Sequence, residues 1–204
     1  MTRFLLTFLL AGIGGFGLAG CQTQYAVQPQ ETTLVSKLDL VAWEQAAQAR
    51  VKPFAGQLLS AVQGAMQVGG ATQAITVCTE LAPALAQQAS TDGWTVGRIS
   101  DRVRQPNNAA DAWESAVLAQ FAAQVAAGQP VAELKHSAVV EGEYRYMQAI
   151  GIAPPCLACH GQNLAPDVQA SLAQAYPKDR ATGYQVGQLR GAFSLRKALG
   201  NVEQ

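Results

Sequence analysis

The sequence predicts an α+β fold, an antiparallel sheet with helices packed on one side, because two different periodicities divide the chain. Between Leu34 and Leu85 apolar residues recur at helical spacing, whereas Trp94–Ser100, His136–Ile150 and Tyr184–Arg196 alternate as strands do. Helices gathered ahead of antiparallel strands distinguish this class from an all-helical body.

Taken in order, the first helix carries Leu34, Leu38, Val41, Ala42, Ala46 and Ala49 on its apolar side. Pro53 suits the first turn of a second helix, with Phe54, Leu58, Val62 and Met66 on one stripe, and Gly69-Gly70 stops it. Thr72 is placed to cap a third, whose face holds Ile75, Cys78, Ala82 and Leu85; Pro83 within it deletes a backbone bond to Thr79 and predicts a bend. A strand follows at Trp94–Ser100, then a turn at Gln105-Pro106-Asn107-Asn108. Asp111 and Glu114 form a capping-box start for a helix through Trp113, Val117, Phe121 and Val125 to Gly128. His136–Ile150 reads as a long strand or hairpin, Ala165–Ala175 as a helix, and Tyr184–Arg196 as one or two strands closing on an edge.

The most specific chemical signal is Cys156-Leu157-Ala158-Cys159-His160, a C-x-x-C-H haem-attachment signature. Two thiols three positions apart add across the two vinyl groups of one haem, and the adjacent His falls under the iron as an axial imidazole. A thioredoxin-like dithiol has no use for the trailing His, and a zinc site needs a second ligand pair that the spacing does not supply. The cofactor expected is one covalent haem c.

The amino terminus fits an exported protein. Arg3 precedes an apolar run from Phe4 to Phe16, too short and Gly-rich to span a membrane stably, so residues 1–20 read as a signal peptide. Leu18-Ala19-Gly20-Cys21 is similar to a lipobox, which makes Cys21 the expected lipidation site and mature N-terminus. Two or three acyl chains, at about 0.8 kcal/mol per buried methylene, give stable attachment. Residues 21–33 read as a flexible tether and residues 34–204 as a single haem-binding domain. Gln22 after the lipidated Cys favours the outer membrane over the inner, facing the periplasm.

Lys plus Arg and Asp plus Glu both number 14, so no long-range charge bias draws the chain to nucleic acid or to an anionic membrane. The expected partners are the membrane, through the lipid, and a separate redox or signalling protein. No enzyme activity is expected: His136 is the one spare imidazole, and peroxidase or nitrite chemistry needs an open distal site with acid-base groups.

Opposite His160 the residues leave alternatives open. Cys78, His136, Met66 and Met147 are the possible second ligands, and Cys78 reads equally well as a small buried hydrophobe. Arg98, Arg102, Arg104 and Arg190 stand beside strand ends as candidates for the haem propionates or as plain surface charges. Trp94, Trp113, Tyr144, Tyr146 and Tyr184 are candidates to pack on the macrocycle or in the core.

Three stretches resemble a known bacterial family: Ala74–Cys78; Gly97-Arg98-Ile99-Ser100 through Asp111-Ala112-Trp113-Glu114; and Tyr176-Pro177 through Gly183-Tyr184 to Arg190-Gly191-Ala192-Phe193-Ser194. They are similar to the single c-haem domains of cyanobacteria and proteobacteria, long catalogued as a domain of unknown function and also found as sensors of histidine kinases. The resemblance implies a PAS-like sheet with N-terminal helices around one haem, held between the His of C-x-x-C-H and a Cys from an early helix. On this sequence those are His160 and Cys78. A thiolate ligand neutralises the ferric porphyrin, so reduction leaves uncompensated negative charge in an apolar pocket. A difference of about 3 kcal/mol lowers the potential by roughly 130 mV, which predicts a low-potential haem for electron transfer or redox response. The alternative is a haem-based redox or gas sensor signalling through a separate partner.

Overall fold

A computed structural model describes residues 36–199; the expected signal peptide, Cys21 and the tether lie outside the described residues. The chain opens with α1 (Lys37–Thr76), started by a capping box in which Ser36 Oγ accepts from the Asp39 N–H while the Asp39 carboxylate accepts from the Ser36 N–H. The two helices expected before Gly69 are one. Pro53 lies inside it, and an interior proline costs about 3 kcal/mol. Ala47, Val51, Phe54 and Leu58 make one buried stripe there, and each large side chain contributes about 1.5–3 kcal/mol, which outweighs the proline.

At Gly69-Gly70 the backbone leaves helical geometry, as the sequence predicts, and residues 71–76 resume it. Thr72 donates to the Gly69 carbonyl rather than capping an N-terminus. The bend expected at Pro83 takes a specific form: residues Val77–Leu81 are π-helical, the Ala82 N–H reaching back five residues to the Val77 carbonyl, before α2 (Ala82–Ala89). A widened turn is how a helix absorbs a proline ring that would otherwise strike the carbonyl four residues earlier. Cys78 sits in that turn.

The sheet contains β1 (Trp94–Ile99), β2 (Lys135–Val140), β3 (Glu143–Gly151) and β4 (Leu189–Ala198), all antiparallel, in the order β1-β4-β3-β2. The hairpin β2–β3 closes through Glu141 and Gly142, both at positive φ, the geometry a two-residue hairpin loop requires. The last strand is interior, between β1 and β3, not at an edge as the sequence suggests. Its two faces explain why: Leu195 is buried against α1 and α2, and Ala192 against α3 (Ala112–Ala126).

Helices therefore cover both faces of the sheet, which corrects the expected one-sided packing. Trp94, Val96, Tyr144, Tyr146 and Leu195 face α1 and α2; Met147, Ala149 and Ala192 face Val117, Leu118 and Phe121 of α3. The period of two along β3 puts Tyr144 and Tyr146 on one side, and Arg145 and Met147 on the other. After β3, a short turn at Pro154–Cys156 and the single-turn α4 (Leu157–His160) carry the C-x-x-C-H motif. Finally α5 (Pro166–Ala175) packs Val168 and Leu172 on Ile75, bracing the segment just before the π-helical turn.

Candidate functional site

A cavity of about 340 Å³ opens where the ends of β1, β3 and β4 meet the π-helical turn and α4. That volume falls within the range of small-molecule sites. Cys78, Cys156 and His160 line it together with Arg98, Arg104 and Arg190, so six of the seven site residues expected within the described region share one wall or another. The seventh, Cys159, is one helical turn from Cys156, and Arg104 grips its carbonyl at 2.5 Å.

His160 is set for ligation. Its Nδ1 lies 2.6 Å from the Ala181 carbonyl, which makes Nδ1 the protonated nitrogen and leaves Nε2 as a lone-pair donor. The Tyr184 ring stands edge-on to the imidazole at 6.3 Å. Burial, then the cations Arg104, Arg190 and Arg98, pull its pKa down to about 3, so the ring is neutral at neutral pH, as a ligand must be. Burial pushes the Cys159 thiol up, against the pull of Arg104.

Of the four possible partners for His160, Cys78 alone among the described residues lines this cavity. His136 lies against Trp113 of α3, the ring centroids 5.8 Å apart and the planes tilted by 43°, Met147 is buried on the α3 face of the sheet, and Met66 is not part of the lining.

The arginines divide by partner. Arg104 is ion-paired to Asp179 at 3.0 Å. Arg190 donates to Ser100 Oγ at 2.9 Å and to the Arg102 carbonyl at 3.2 Å, and neither Arg98 nor Arg190 has a carboxylate partner among the described residues. Burial disfavours the charge on both, and for Arg98 the nearby Cys78 and Tyr176 partly offset it. Arg102 stays outside the cavity, its guanidinium 4.0 Å from the Tyr184 ring centroid and donating to the Arg180 and Thr182 carbonyls.

The expected aromatics belong elsewhere. Trp94, Tyr144 and Tyr146 fill the core beneath α1, Trp113 lies 4.4 Å from the Arg145 guanidinium, and Tyr184 backs His160. Phe54 and Tyr176 line the cavity instead. Nothing in the sequence separates Phe54 from its helical stripe. Tyr176 carries a cue, since it ends α5 and is followed by Pro177.

Fold and site together define a PAS-like α+β domain whose C-x-x-C-H loop faces a helical cysteine across one cavity. The chain belongs to the Tll0287-like family, whose model matches residues 23–197. It is also similar to a solved structure, the crystal structure of the cyanobacterial haem-protein Tll0287. The two are 24% identical, the match covers 78% of this chain and 98% of that one, and the TM-score is 0.54. At that identity the likeness carries the fold alone. No curated protein matches the chain.

Proposed function

We propose that this chain is a c-type cytochrome of the cell envelope, lipid-anchored through Cys21, that holds one haem by Cys156 and Cys159 with His160 and Cys78 as axial ligands. The observation that carries the reading is the convergence of Cys78, Cys156 and His160 on one cavity from segments far apart in the chain. The solved relative Tll0287 is itself a haem protein.

The residues present fit that group. Three guanidiniums and one carboxylate meet here, an excess of two positive charges, which suits a ligand with two propionates. Arg98 and Arg190 are the pair with no acid of their own among the described residues, so they are the ones we assign to the propionates, while Arg104 has its counter-ion in Asp179. Phe54, Ala82 and Ile152 supply an apolar lining.

When bound, the haem supplies a one-electron ferric/ferrous couple. The chain does the rest. Cys78, as thiolate, balances the ferric charge, so the couple is of low potential, suited to electron transfer or redox response rather than enzymatic turnover. A second reading, a redox or gas sensor passing its signal to a partner, is favoured by the π-helical turn that holds Cys78, because such turns inside helices are frequent at functional sites. The test is the mature protein made with a cytochrome maturation system, beside Cys78→Ser. Added tetrapyrrole mass and a ferric electron paramagnetic resonance spectrum altered by the substitution are expected. A colourless product removes the haem, an unchanged spectrum removes Cys78, and rapid carbon monoxide binding to the reduced wild type moves the function to sensing.

A further inference from the structure

The segment from Asp179 to Tyr184 has neither helix nor strand, yet it carries the carbonyl that His160 depends on. An irregular segment holds a functional carbonyl in place only if its own polar groups are anchored. Arg102 holds the Arg180 and Thr182 carbonyls and the Arg180 N–H donates to the Val103 carbonyl, while Ala181 itself is anchored by two buried charged side chains. Asp179 Oδ1 accepts from the Ala181 N–H at 2.7 Å while Oδ2 accepts from Arg104 Nε at 3.0 Å. Arg104 Nη2 then donates to the Cys159 carbonyl at 2.5 Å and reaches the Ala181 carbonyl at 3.4 Å. The pair is enclosed, with side-chain exposures of 8% and 10%, and Ala181 is 0% exposed.

One guanidinium thus spans both flanks of the imidazole, the carbonyl of the residue before His160 and the carbonyl opposite it. Further backbone bonds dock the same segment on the motif: Tyr184 N–H to the His160 carbonyl at 2.9 Å and Gly183 N–H to the Gly161 carbonyl at 2.8 Å. Those bonds fix the position of the loop. Of these groups, Asp179 and Arg104 are the ones that bond Ala181 itself, through its N–H and its carbonyl.

We infer that Arg104 and Asp179 are positioning residues for the axial imidazole, clamping Ala181 so that its carbonyl holds the Nδ1 proton and the ring plane of His160. The inference rests on His160 being the haem ligand. Its consequence is electronic as well as geometric. A well-aligned acceptor on Nδ1 makes the imidazole a stronger donor to the metal, which favours the oxidised state. Loosening the clamp therefore favours the reduced state.

The experiment uses the haem-loaded full-length protein with two variants, Arg104→Lys and Asp179→Asn, read by redox titration and ferric electron paramagnetic resonance. Arg104→Lys keeps the charge but loses the fork that reaches Cys159 and Asp179 together. Asp179→Asn keeps an acceptor for the Ala181 N–H but leaves Arg104 without its counter-ion. Both are expected to shift the reduction equilibrium toward the reduced form, Asp179→Asn about tenfold, which is about 59 mV, with altered g values in each. An unchanged potential and spectrum in Arg104→Lys overturns the inference, because it means the pair acts through charge or through fold stability alone. Where Asp179→Asn does not accumulate, Arg104→Lys decides the question by itself. Nitrogen-15 NMR of the haem-free full-length chain gives a readout independent of haem: an Nδ1-protonated His160 that becomes a tautomer mixture in Arg104→Lys supports the clamp, and an unchanged tautomer refutes it. A wild-type protein that fails to take up haem refutes the proposed function instead, and the NMR result still judges the clamp.

Discussion

Glu114, away from the cavity, is a buried acid at the centre of a polar network. Its side chain is 2% exposed, yet it lies 3.2 Å from Arg145 and 3.1 Å from Arg196, and it accepts from Ser194 Oγ at 2.6 Å. It also accepts from the Asp111 N–H at 2.9 Å, one half of the capping box of α3. Loss of the cap contributes about 1 kcal/mol and loss of the Ser194 bond about another. Breaking a buried ion pair usually costs about 3–5 kcal/mol, but Arg145 keeps Asp111 at 2.6 Å, so only part of that applies. Glu114→Ala is therefore expected to lose about 3–4 kcal/mol, and Glu114→Gln, which retains the neutral hydrogen bonds, about half as much. Urea unfolding of the full-length protein measures both. A loss below about 1 kcal/mol in Glu114→Ala would show that the network is solvated, and equal losses in the two variants would show that the neutral hydrogen bonds contribute nothing.

Three further outcomes follow from the geometry. In the haem-free chain, the His160 pKa of about 3 lies below its ordinary 6.5, so the unfolded state takes up the proton first; stability falls as pH drops from 6.5 toward 3. The loss is on the order of 4 kcal/mol at the bottom of that window, and a His160→Gln chain unfolds with a flatter pH profile there. Pro83→Ala removes the reason for the π-helical turn, and a second, Cys78-free haem species is expected in the ferric spectrum; a single unchanged species tells against this account of the turn. Gly191→Ala puts a Cβ against the Ile99 carbonyl oxygen between β1 and β4, so a loss of about 1–3 kcal/mol is expected on urea unfolding, and a change within about 0.5 kcal/mol, the size of a neutral surface substitution, contradicts the close approach.

Much of the fold is legible residue by residue. The Asp111–Glu114 box starts α3 where its chemistry says it should, Gly69-Gly70 interrupts the first helix, and the alternation after His136 becomes a hairpin. The misses share one cause, the weight of long-range packing. Pro53 reads as a helix start because local rules penalise it inside a helix, and only the stripe docked on the sheet shows why the helix continues. Helices on one side is the natural inference when the strands follow the helices, and nothing in the sequence of α3 says that it crosses to the second face.

By itself the sequence determined the motif on which the proposed attachment rests, because Cys156, Cys159 and His160 are neighbours whose spacing lies within one helical turn. Tertiary structure decided everything that joins distant segments. It placed Cys78, and neither His136 nor the methionines, in the cavity lining, and it gave Arg104 a counter-ion while leaving Arg98 and Arg190 without one among the described residues. The physical reason is that a covalent motif is local, whereas an axial partner and a charge balance depend on which side chains the folded chain brings within a few ångströms of one another.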